Sequence, residues 1–376
     1  MTIITYLTTI RFDFGALQGI AGDVAQLKIE RPLIVTDAGL KAAGFVDRLC
    51  ALLPNPAMPV FDGTPTNPTE TAVKAALALY RSSNCDGVIA IGGGSPIDLA
   101  KAVALLATHP EPLAQYAVID GGLARITPAV APLIAIPTTA GTGSEVGRAA
   151  LVTLEDGRKV GIISSYLIPK LAICDPELTL GLPARLTAAT GMDAIAHCIE
   201  TYLSPRINPP AEAIALDGLS RAMANIKTAT SKGDDRTARS EMMMAALEGG
   251  LTFQKGLGAV HGLSHALGSL SAPAMHHGML NAILLPDVLK FNEPSVDKTK
   301  WQALCRAADC PAGQPLHQHI VELTKSLGLP LRLSDLGYDR RDADDIVTKA
   351  LKDHSTPTNP RKVERDDYMA ILKAAL

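Results

Sequence analysis

Four short apolar runs, each closed by a polar or glycine-rich turn, mark the first half of the chain. RPLIVTD (31–37) leads into a helical stretch that reaches about Leu53, and MPVFDG (58–63) leads through TPTNPTE into the amphipathic TAVKAALALYRSS. CDGVIAIGGG (85–94) is followed by SPIDLAKAVALLATH, and APLIAIPTTAGTGSE (131–145) supplies the fourth run. Apolar runs this short, returned by helical segments, predict parallel strands buried on both faces. The fold class that follows is α/β, a doubly wound, Rossmann-like parallel sheet with ligands expected at the carboxyl ends of its strands.

From LPARLTAATGMDAIAHCIETYL onward the period changes. Long Ala- and Leu-rich segments recur at helical spacing, with breaks expected at Pro205–Pro210, Gly233, Pro273, Pro286 and Pro330. An all-α C-terminal domain is therefore expected, with the boundary near Gly181 to Arg185, dividing the chain into 1–182 and 183–376. The more charged end, residues 335–367, reads as solvated helix faces.

Composition narrows the function classes. The chain has 376 residues, 47% of them apolar, and 35 Lys plus Arg against 38 Asp plus Glu leave a net charge of −3. That balance gives no general grip on nucleic acid or an anionic membrane, and 4% aromatic residues argue against a base-stacking platform. Six dispersed cysteines without a CxxC pair suit a reducing compartment and offer neither a disulfide framework nor a cysteine zinc site. MTIITYLTTIRFDFG lacks the basic start and apolar run of a signal peptide, and Pro128 and Pro132 cut the apolar stretch at 128–136. A cytoplasmic protein without nucleic-acid or membrane partners is expected.

Two strand ends carry ligand chemistry. Gly92, Gly93 and Gly94 end the third run, and Ser95, Pro96 and Asp98 read as N-cap, first and third positions of the next helix. Glycines let a backbone approach a ligand closely, and a helix start offers unpaired N–H groups to a pyrophosphate. A tight strand-to-helix turn accounts for the same residues without a ligand, and the pattern is neither GxGxxG nor a Walker loop. PTTAGTGSE (137–145) follows the fourth run with hydroxyls at Thr138, Thr139, Thr142 and Ser144 and flexible glycines at 141 and 143. Asp37 ends the first run where a ribose acceptor would stand; a carboxylate there disfavours a 2′-phosphate and points to NAD over NADP. It serves equally well as a helix N-cap.

Five of the nine histidines, His197, His261, His265, His276 and His277, crowd into one stretch. Asp193 and His197 are four apart in a helical segment and share a face; His261 and His265 repeat the spacing, and AMHHG holds the other two. A simple i,i+4 contact or a satisfied core histidine is the plainer account of each. Apolar surroundings make isolated polar groups costly unless paired, however, and the cluster is dense. Three imidazoles with one carboxylate suit Fe²⁺, Zn²⁺, Co²⁺ or Mn²⁺ and leave coordination open for substrate.

GGGSPIDLAK, PTTAGTGSEV, GMDAIAHCIE, and HGLSHALG followed by HHGMLNA occur in that order. Together they resemble the iron-containing (group III) alcohol dehydrogenases, over about Pro32 to Asn292. The resemblance implies an NAD-binding first domain, a helical metal-binding second domain, an active site in the cleft between them, and a homodimer or larger homo-oligomer. The ligands it implies are Asp193, His197, His261 and His277. His277 is preferred to His276 because the family histidine precedes Gly and then Asn-Ala, here HGMLNA. The implied metal is Fe²⁺, with Zn²⁺ acceptable to the same donors. His265 corresponds to a non-ligand histidine beside the nicotinamide. Gly93, Gly94, Ser95, Asp98, Thr138, Thr139 and Thr142 match cofactor-binding positions, as do Asp37, Asn67 and Lys159.

Within that family, YLTTIRFDFGAL, CDPELTLGLPARLTAATGMDAIAHCIET and LTFQKGLGAVHGLSH look most like 4-hydroxybutyrate dehydrogenases. Many alcohol-specific members have a neutral residue where Lys255 stands, and Arg148 follows TGSEV. Both cations, with Phe253 beside Lys255, are expected at the substrate, where a 4-hydroxy acid needs a positive charge about its own length from the reacting oxygen. A solvated helix charge is the plainer account of either cation. The expected reaction passes a hydride between NAD and a primary alcohol or aldehyde, 4-hydroxybutyrate to succinate semialdehyde, with His265 relaying the proton. A neutral alcohol or diol dehydrogenase shares every motif. A metal- and NAD-dependent lyase resembling dehydroquinate synthase uses the cofactor only transiently, and a non-catalytic NAD-binding regulator would not need the ligand set.

Overall fold

In the computed structural model, residue 4, residues 8–270, residue 273 and residues 275–376 are described. The N-terminal readings that touch residues 1–3 and 5–7 lie outside them. The chain divides into two compact units. One runs from its first strand to Thr139 and resumes over Ser144–Thr179; the other holds Leu180–Leu376 together with Ala140–Gly143.

The first unit contains strands β1 (Thr9–Phe12), β2 (Pro32–Val35), β3 (Val60–Phe61), β4 (Gly87–Gly92), β5 (Leu133–Pro137), β6 (Ala149–Thr153), β7 (Lys159–Ile163) and β8 (Leu171–Cys174). Six of them form a sheet in the order β1-β8-β5-β4-β2-β3, every pair parallel, while β6 and β7 make a separate antiparallel hairpin. Its helices are α1 (Ile20–Gln26), α2 (Ala38–Ala42), α3 (Phe45–Cys50), α4 (Glu70–Ser82) and α5 (Gly94–Leu106).

Alternation along the central strands sends side chains to two cores. Leu33, Val35, Val88, Ala90, Leu133 and Ala135 pack with Val73 and Leu77 of α4 and Val103 of α5. Ile34, Ile89, Ile91, Ile134 and Ile136 pack with Ile20 and Val24 of α1 and Leu49 of α3. Burial on both faces is why these strands are uninterrupted apolar runs. Counted from β2 the order is 2-1-3-4-5, so the strand order reverses between β2 and β4. The crevice at the carboxyl ends of those two strands is where such sheets bind ligands.

The apolar pattern foretold β2, β3, β4 and β5 but not β1, β8 or the hairpin. Strand β1 is a partly exposed edge, TIRF, whose polar Thr9 and Arg11 break the run. Strand β8 is only four residues long, though fully buried. The hairpin turn did carry a signal in Asp156–Gly157, the glycine having φ +83°. The helical stretch expected up to Leu53 is two helices broken at Gly44, φ +82°.

The second unit is helical throughout its described residues: α6 (Ala184–Leu203), α7 (Pro209–Ser231), α8 (Arg236–Leu251), α9 (Ala259–Leu267), α10 (His277–Asn292), α11 (Lys298–Ala307), α12 (Leu316–Ser326), α13 (Ala343–Lys352) and α14 (Arg365–Ala374), with short 3-10 turns. Helix α6 is buried on every face from Thr187 to Leu203, as its Ala-rich sequence allows. The break expected at Pro286 does not occur, because α10 runs through it. Proline there removes one backbone donor, and the buried Leu284, Leu285, Val288 and Leu289 around it hold the helix together.

Candidate active site

Asp193 and His197 stand one turn apart on the buried α6, His261 lies on α9, and His277 is the first residue of α10. Their donor atoms all lie within 4.8 Å of one another. Asp193 Oδ1 is 3.5 Å from Nε2 of His197, 3.8 Å from Nε2 of His261 and 3.5 Å from Nε2 of His277. Those separations are too long for hydrogen bonds. They match the edges, about 3.4 Å, of a tetrahedron whose corners lie about 2.1 Å from a central ion.

Glycines permit this convergence. A Cβ on Gly278 would come 2.1 Å from the Ala189 carbonyl oxygen, so only glycine lets the first turn of α10 rest on α6 and bring His277 beside Asp193. Gly143, φ +59°, would place a Cβ 2.5 Å from the Cα of Gly250. Its neighbour Gly141 offers the carbonyl that sits 3.2 Å from His197 Nδ1.

The groups behind the cluster aim the imidazoles. Gly141 O accepts from Nδ1 of His197, and Glu200 Oε2, 2.5 Å away, accepts from Nδ1 of His261. In the neutral ring each bond leaves the Nε2 lone pair facing Asp193, the tautomer a metal ligand requires. Asn281 Nδ2 donates to Asp193 Oδ1 at 2.7 Å and lies 3.3 Å from His261 Nε2 and 3.2 Å from His277 Nε2. Its Oδ1 is buried without a partner among the described residues. The amide nitrogen thus sits where the Asp193 oxygen and two imidazole nitrogens converge. The residues present fit a divalent cation.

Burial shapes the charges. It lowers the His197 pKa to about 4 against the pull of Asp193. Burial also disfavours charge on His261, but Glu200 and Asp193 outweigh it and raise that group to about 9. Burial would raise the Asp193 carboxyl, yet His197, His277 and His261 hold it well below the usual carboxylate range.

His276 caps the start of α10 outside this cluster, its Nδ1 buried without a partner among the described residues. Phe253 meets the His197 ring edge-on at 4.7 Å between centroids, forming an apolar wall of the site. His265 stacks on His277 at 5.4 Å, and its Nδ1 is 3.0 Å from Asp353 Oδ2. Asp353 belongs to the charged stretch read above as solvated helix faces. The structure corrects that reading at Asp353, whose side chain is only 13% exposed.

Lys255 is also corrected. Its side chain is fully buried, and Nζ donates to the carbonyls of Thr201, Tyr202 and Ser204 and pairs with Glu212 at 3.1 Å. Burial draws its pKa down to about 8, with Lys300 adding to the effect. All three N–H donors are spent closing the end of α6, so none remains for a substrate carboxylate.

In the first unit, the residues expected at NAD gather around the β2–β4 crevice. Asp37 follows β2 and accepts from Leu40 N at 3.0 Å as N-cap of α2. Gly93, rather than Ser95, is the N-cap of α5, and Gly94 begins the helix. Ser95 Oγ instead donates to the Thr66 carbonyl. Asp98 is likewise displaced, to the second turn, where its carboxylate accepts from Ser144 Oγ at 2.5 Å and Leu151 N at 3.0 Å. It anchors β6 rather than facing a ligand. Thr138 N donates to Gly92 O at 2.9 Å, joining the two turns, and Thr139 flanks Gly93. Asn67 Oδ1 accepts from Lys159 Nζ at 2.9 Å, and Thr142 lies in the short segment grouped with the helical unit. Arg148, like Lys159, belongs to the first unit.

Sequence reasoning missed Glu200, Asn281 and Asp353. The first two had a signal: Glu200 is three residues beyond His197, and Asn281 is four beyond His277, each on its ligand's helical face. Nothing in the sequence links Asp353 to His265.

A profile described as "Iron-containing alcohol dehydrogenase" matches residues 8–176, and one described as "Fe-containing alcohol dehydrogenase family, C-terminal" matches residues 187–376. A 4-hydroxybutyrate dehydrogenase from Cupriavidus necator is 50% identical, covering 100% of both chains. Among solved structures, a 1,3-propanediol oxidoreductase superposes with a TM-score of 0.93 at 34% identity, covering 100% of both chains. A sulfoacetaldehyde reductase from Bifidobacterium kashiwanohense, solved in complex with NAD⁺, gives 0.89 at 26% identity, covering 100% of this chain and 98% of that one.

Proposed function

This chain belongs to the iron-containing alcohol dehydrogenase family, and we propose that within it the protein interconverts 4-hydroxybutyrate and succinate semialdehyde. It is an NAD-dependent oxidoreductase acting on a small alcohol or aldehyde. The observation that carries the chemistry is the convergence of three imidazole Nε2 atoms on Asp193. The full-length likeness to the Cupriavidus necator enzyme supports the choice of substrate.

Asp193, His197, His261 and His277 would hold the metal, Fe²⁺ or, with the same donors, Zn²⁺. When bound, such an ion supplies Lewis acidity, making a hydroxyl more acidic and a carbonyl more electrophilic, and NAD⁺ supplies the hydride acceptor. Glu200 and Gly141 hold His261 and His197 in the ligating tautomer. Phe253 helps exclude water beside His197. His265 Nε2 receives the hydroxyl proton during oxidation and returns it during reduction. Gly93, Gly94, Thr138 and Thr139 would contact the cofactor's pyrophosphate, with Asn67 and Lys159 alongside and Thr142 nearer the nicotinamide. Asp37 would accept from the ribose.

We assign Arg148 to the substrate carboxylate in place of Lys255. Arg185 is a second: it lies two turns before Asp193 at the same four-residue spacing on α6, with its guanidinium resting on Met279 Sδ at 3.8 Å. We also propose a homodimer or larger assembly, consistent with β1 having no strand on its outer side among the described residues. A cytoplasmic location is supported by six cysteines that are all free thiols. No helix among the described residues is long and apolar enough to cross a membrane.

The test is NAD⁺ reduction by the Fe²⁺- or Zn²⁺-loaded protein over 4-hydroxybutyrate, 1,3-propanediol and 1-butanol. The expected result is a kcat/KM at least tenfold higher for 4-hydroxybutyrate, and Arg148→Ala or Arg185→Ala should raise KM for that substrate but not for 1-butanol. Equal kcat/KM values across the panel would make this a neutral-alcohol enzyme, and failure to accumulate NADH would point to the lyase chemistry.

A further inference from the structure

His265 has a partner 88 residues further along the chain. Its Nδ1 lies 3.0 Å from Asp353 Oδ2, with only 6% of the histidine side chain and 13% of the aspartate exposed. The other carboxylate oxygen accepts from Ser355 N at 2.8 Å, so the carboxylate is fixed in direction as well as position. His354 covers one side of the His265 ring, stacked at 5.6 Å, and its Nδ1 is 3.7 Å from Asp353 Oδ1. The His265 ring also lies nearly parallel to His277, 13° between planes at 5.4 Å. Ring, carboxylate and backbone donor thus form one assembly attached to the ligand cluster, none of it required to hold the metal.

A carboxylate can only accept, so the proton in the His265–Asp353 bond resides on Nδ1. The neutral ring then has its lone pair on Nε2. We propose that Asp353 is a positioning residue for the reaction: it fixes His265 in the Nδ1–H tautomer and holds the ring so that Nε2 can take the substrate hydroxyl proton. This rests on the reading of His265 as the proton acceptor. In the oxidation direction the hydroxyl O–H breaks as Nε2–H forms, and the bonding pair stays on oxygen. The carbinol carbon passes its hydride to NAD⁺, and the Nδ1 proton does not move. Asp353 faces the positive charge that the ring gains. His265, Asp353 and His354 also have donor atoms within 4.8 Å of one another, a set that a second cation would fit. The bond already made at Nδ1 favours a dyad.

The experiment compares wild-type, Asp353→Asn, Asp353→Glu, His265→Ala and the Asp353→Asn/His265→Ala double variant as Zn²⁺-loaded protein. Each is assayed for kcat, KM, bound zinc and NAD⁺ affinity. Long-range ¹H–¹⁵N correlation spectra of the His265 ring, read in the variants that retain it, report the tautomer apart from activity. Asp353→Asn should lower kcat about 10- to 100-fold with KM, zinc content and NAD⁺ affinity near wild type. It should also lose the pure Nδ1–H pattern, which Asp353→Glu should retain. The double variant should be no slower than His265→Ala alone. An Nδ1–H pattern unchanged in Asp353→Asn, a double variant slower by the product of the two single losses, or two equivalents of zinc per chain would overturn the dyad. Wild-type kcat in His265→Ala would instead overturn the proton-acceptor reading on which the proposal rests.

Discussion

Glu200 holds the start of a helix and a candidate ligand together: its Oε2 accepts from Nδ1 of His261 at 2.5 Å while its Oε1 accepts from the backbone N–H of Val260 at 2.7 Å. One carboxylate on α6 therefore sets both the ring orientation of a ligand on α9 and the start of the helix that carries it. Carboxylates behind ligating histidines typically contribute 10- to 100-fold in metal affinity. Glu200→Gln, which keeps the shape and removes the charge, should weaken zinc binding by about that factor in a chelator competition. An unchanged zinc affinity would relegate Glu200 to packing.

Metal removal should separate chemistry from fold. Helix α6 is buried from Thr187 to Leu203, and Asn281, Glu200 and Gly141 hold the side chains of the cluster through hydrogen bonds to protein groups. A chelated, verified metal-free sample should lose NAD⁺ reduction while its far-ultraviolet circular dichroism stays unchanged. Its thermal midpoint should fall, because an ion present at about 1,000 times its Kd adds about 4 kcal/mol to the native state. Undiminished turnover without metal would rule out the proposed chemistry.

Gly278→Ala should damage the site without touching a ligand. The added Cβ would meet the Ala189 carbonyl oxygen at 2.1 Å, forcing α10 away from α6 and carrying His277 with it. Overpacking of this kind costs about 1–3 kcal/mol. We expect a lower thermal midpoint and less than one metal ion retained per chain, as measured by elemental analysis after gel filtration.

Lys255→Met should act on stability and leave specificity alone. The substitution strands three carbonyls that now share one buried ammonium and leaves Glu212 with Lys300 alone. Breaking such a set costs about 3 kcal/mol, readable in urea unfolding. KM for 4-hydroxybutyrate should stay within about twofold; a large, selective rise would restore Lys255 to the substrate.

Glu145 makes stability depend on pH. It is only 3% exposed, and burial lifts its pKa from 4.5 to about 7. Between those values the native state binds more protons than the unfolded chain, so stability falls as pH rises from about 4.5 to 7. The change amounts to about 3 kcal/mol if no other group compensates. Glu145→Gln should flatten that part of a urea-unfolding series against pH; an identical slope in the variant would assign the dependence elsewhere.

Much of this molecule was legible in its sequence because the relevant patterns are local. The runs at β2, β4 and β5 are apolar at every position, since both sheet faces are covered. The four-residue spacing of Asp193 and His197 places them on one helical face before any tertiary contact exists. Edge strand β1 escaped notice for the converse reason: one exposed side relaxes the demand for apolar residues. Pro286 misled because a proline's local preference for ending a helix lost to the burial of its neighbours.

The sequence by itself determined the two fold classes, the chemistry of the donor set and the glycine- and hydroxyl-bearing turns at the strand ends, because each depends on periodicity, residue type and short spacing. Only the tertiary structure decided that Lys255 closes a helix, that Asp98 anchors a strand, and that Asp353 turns inward to His265. A charged side chain goes wherever unmet hydrogen-bonding partners lie in a buried environment. Those partners are supplied by segments dozens of residues away, so folding alone brings them together.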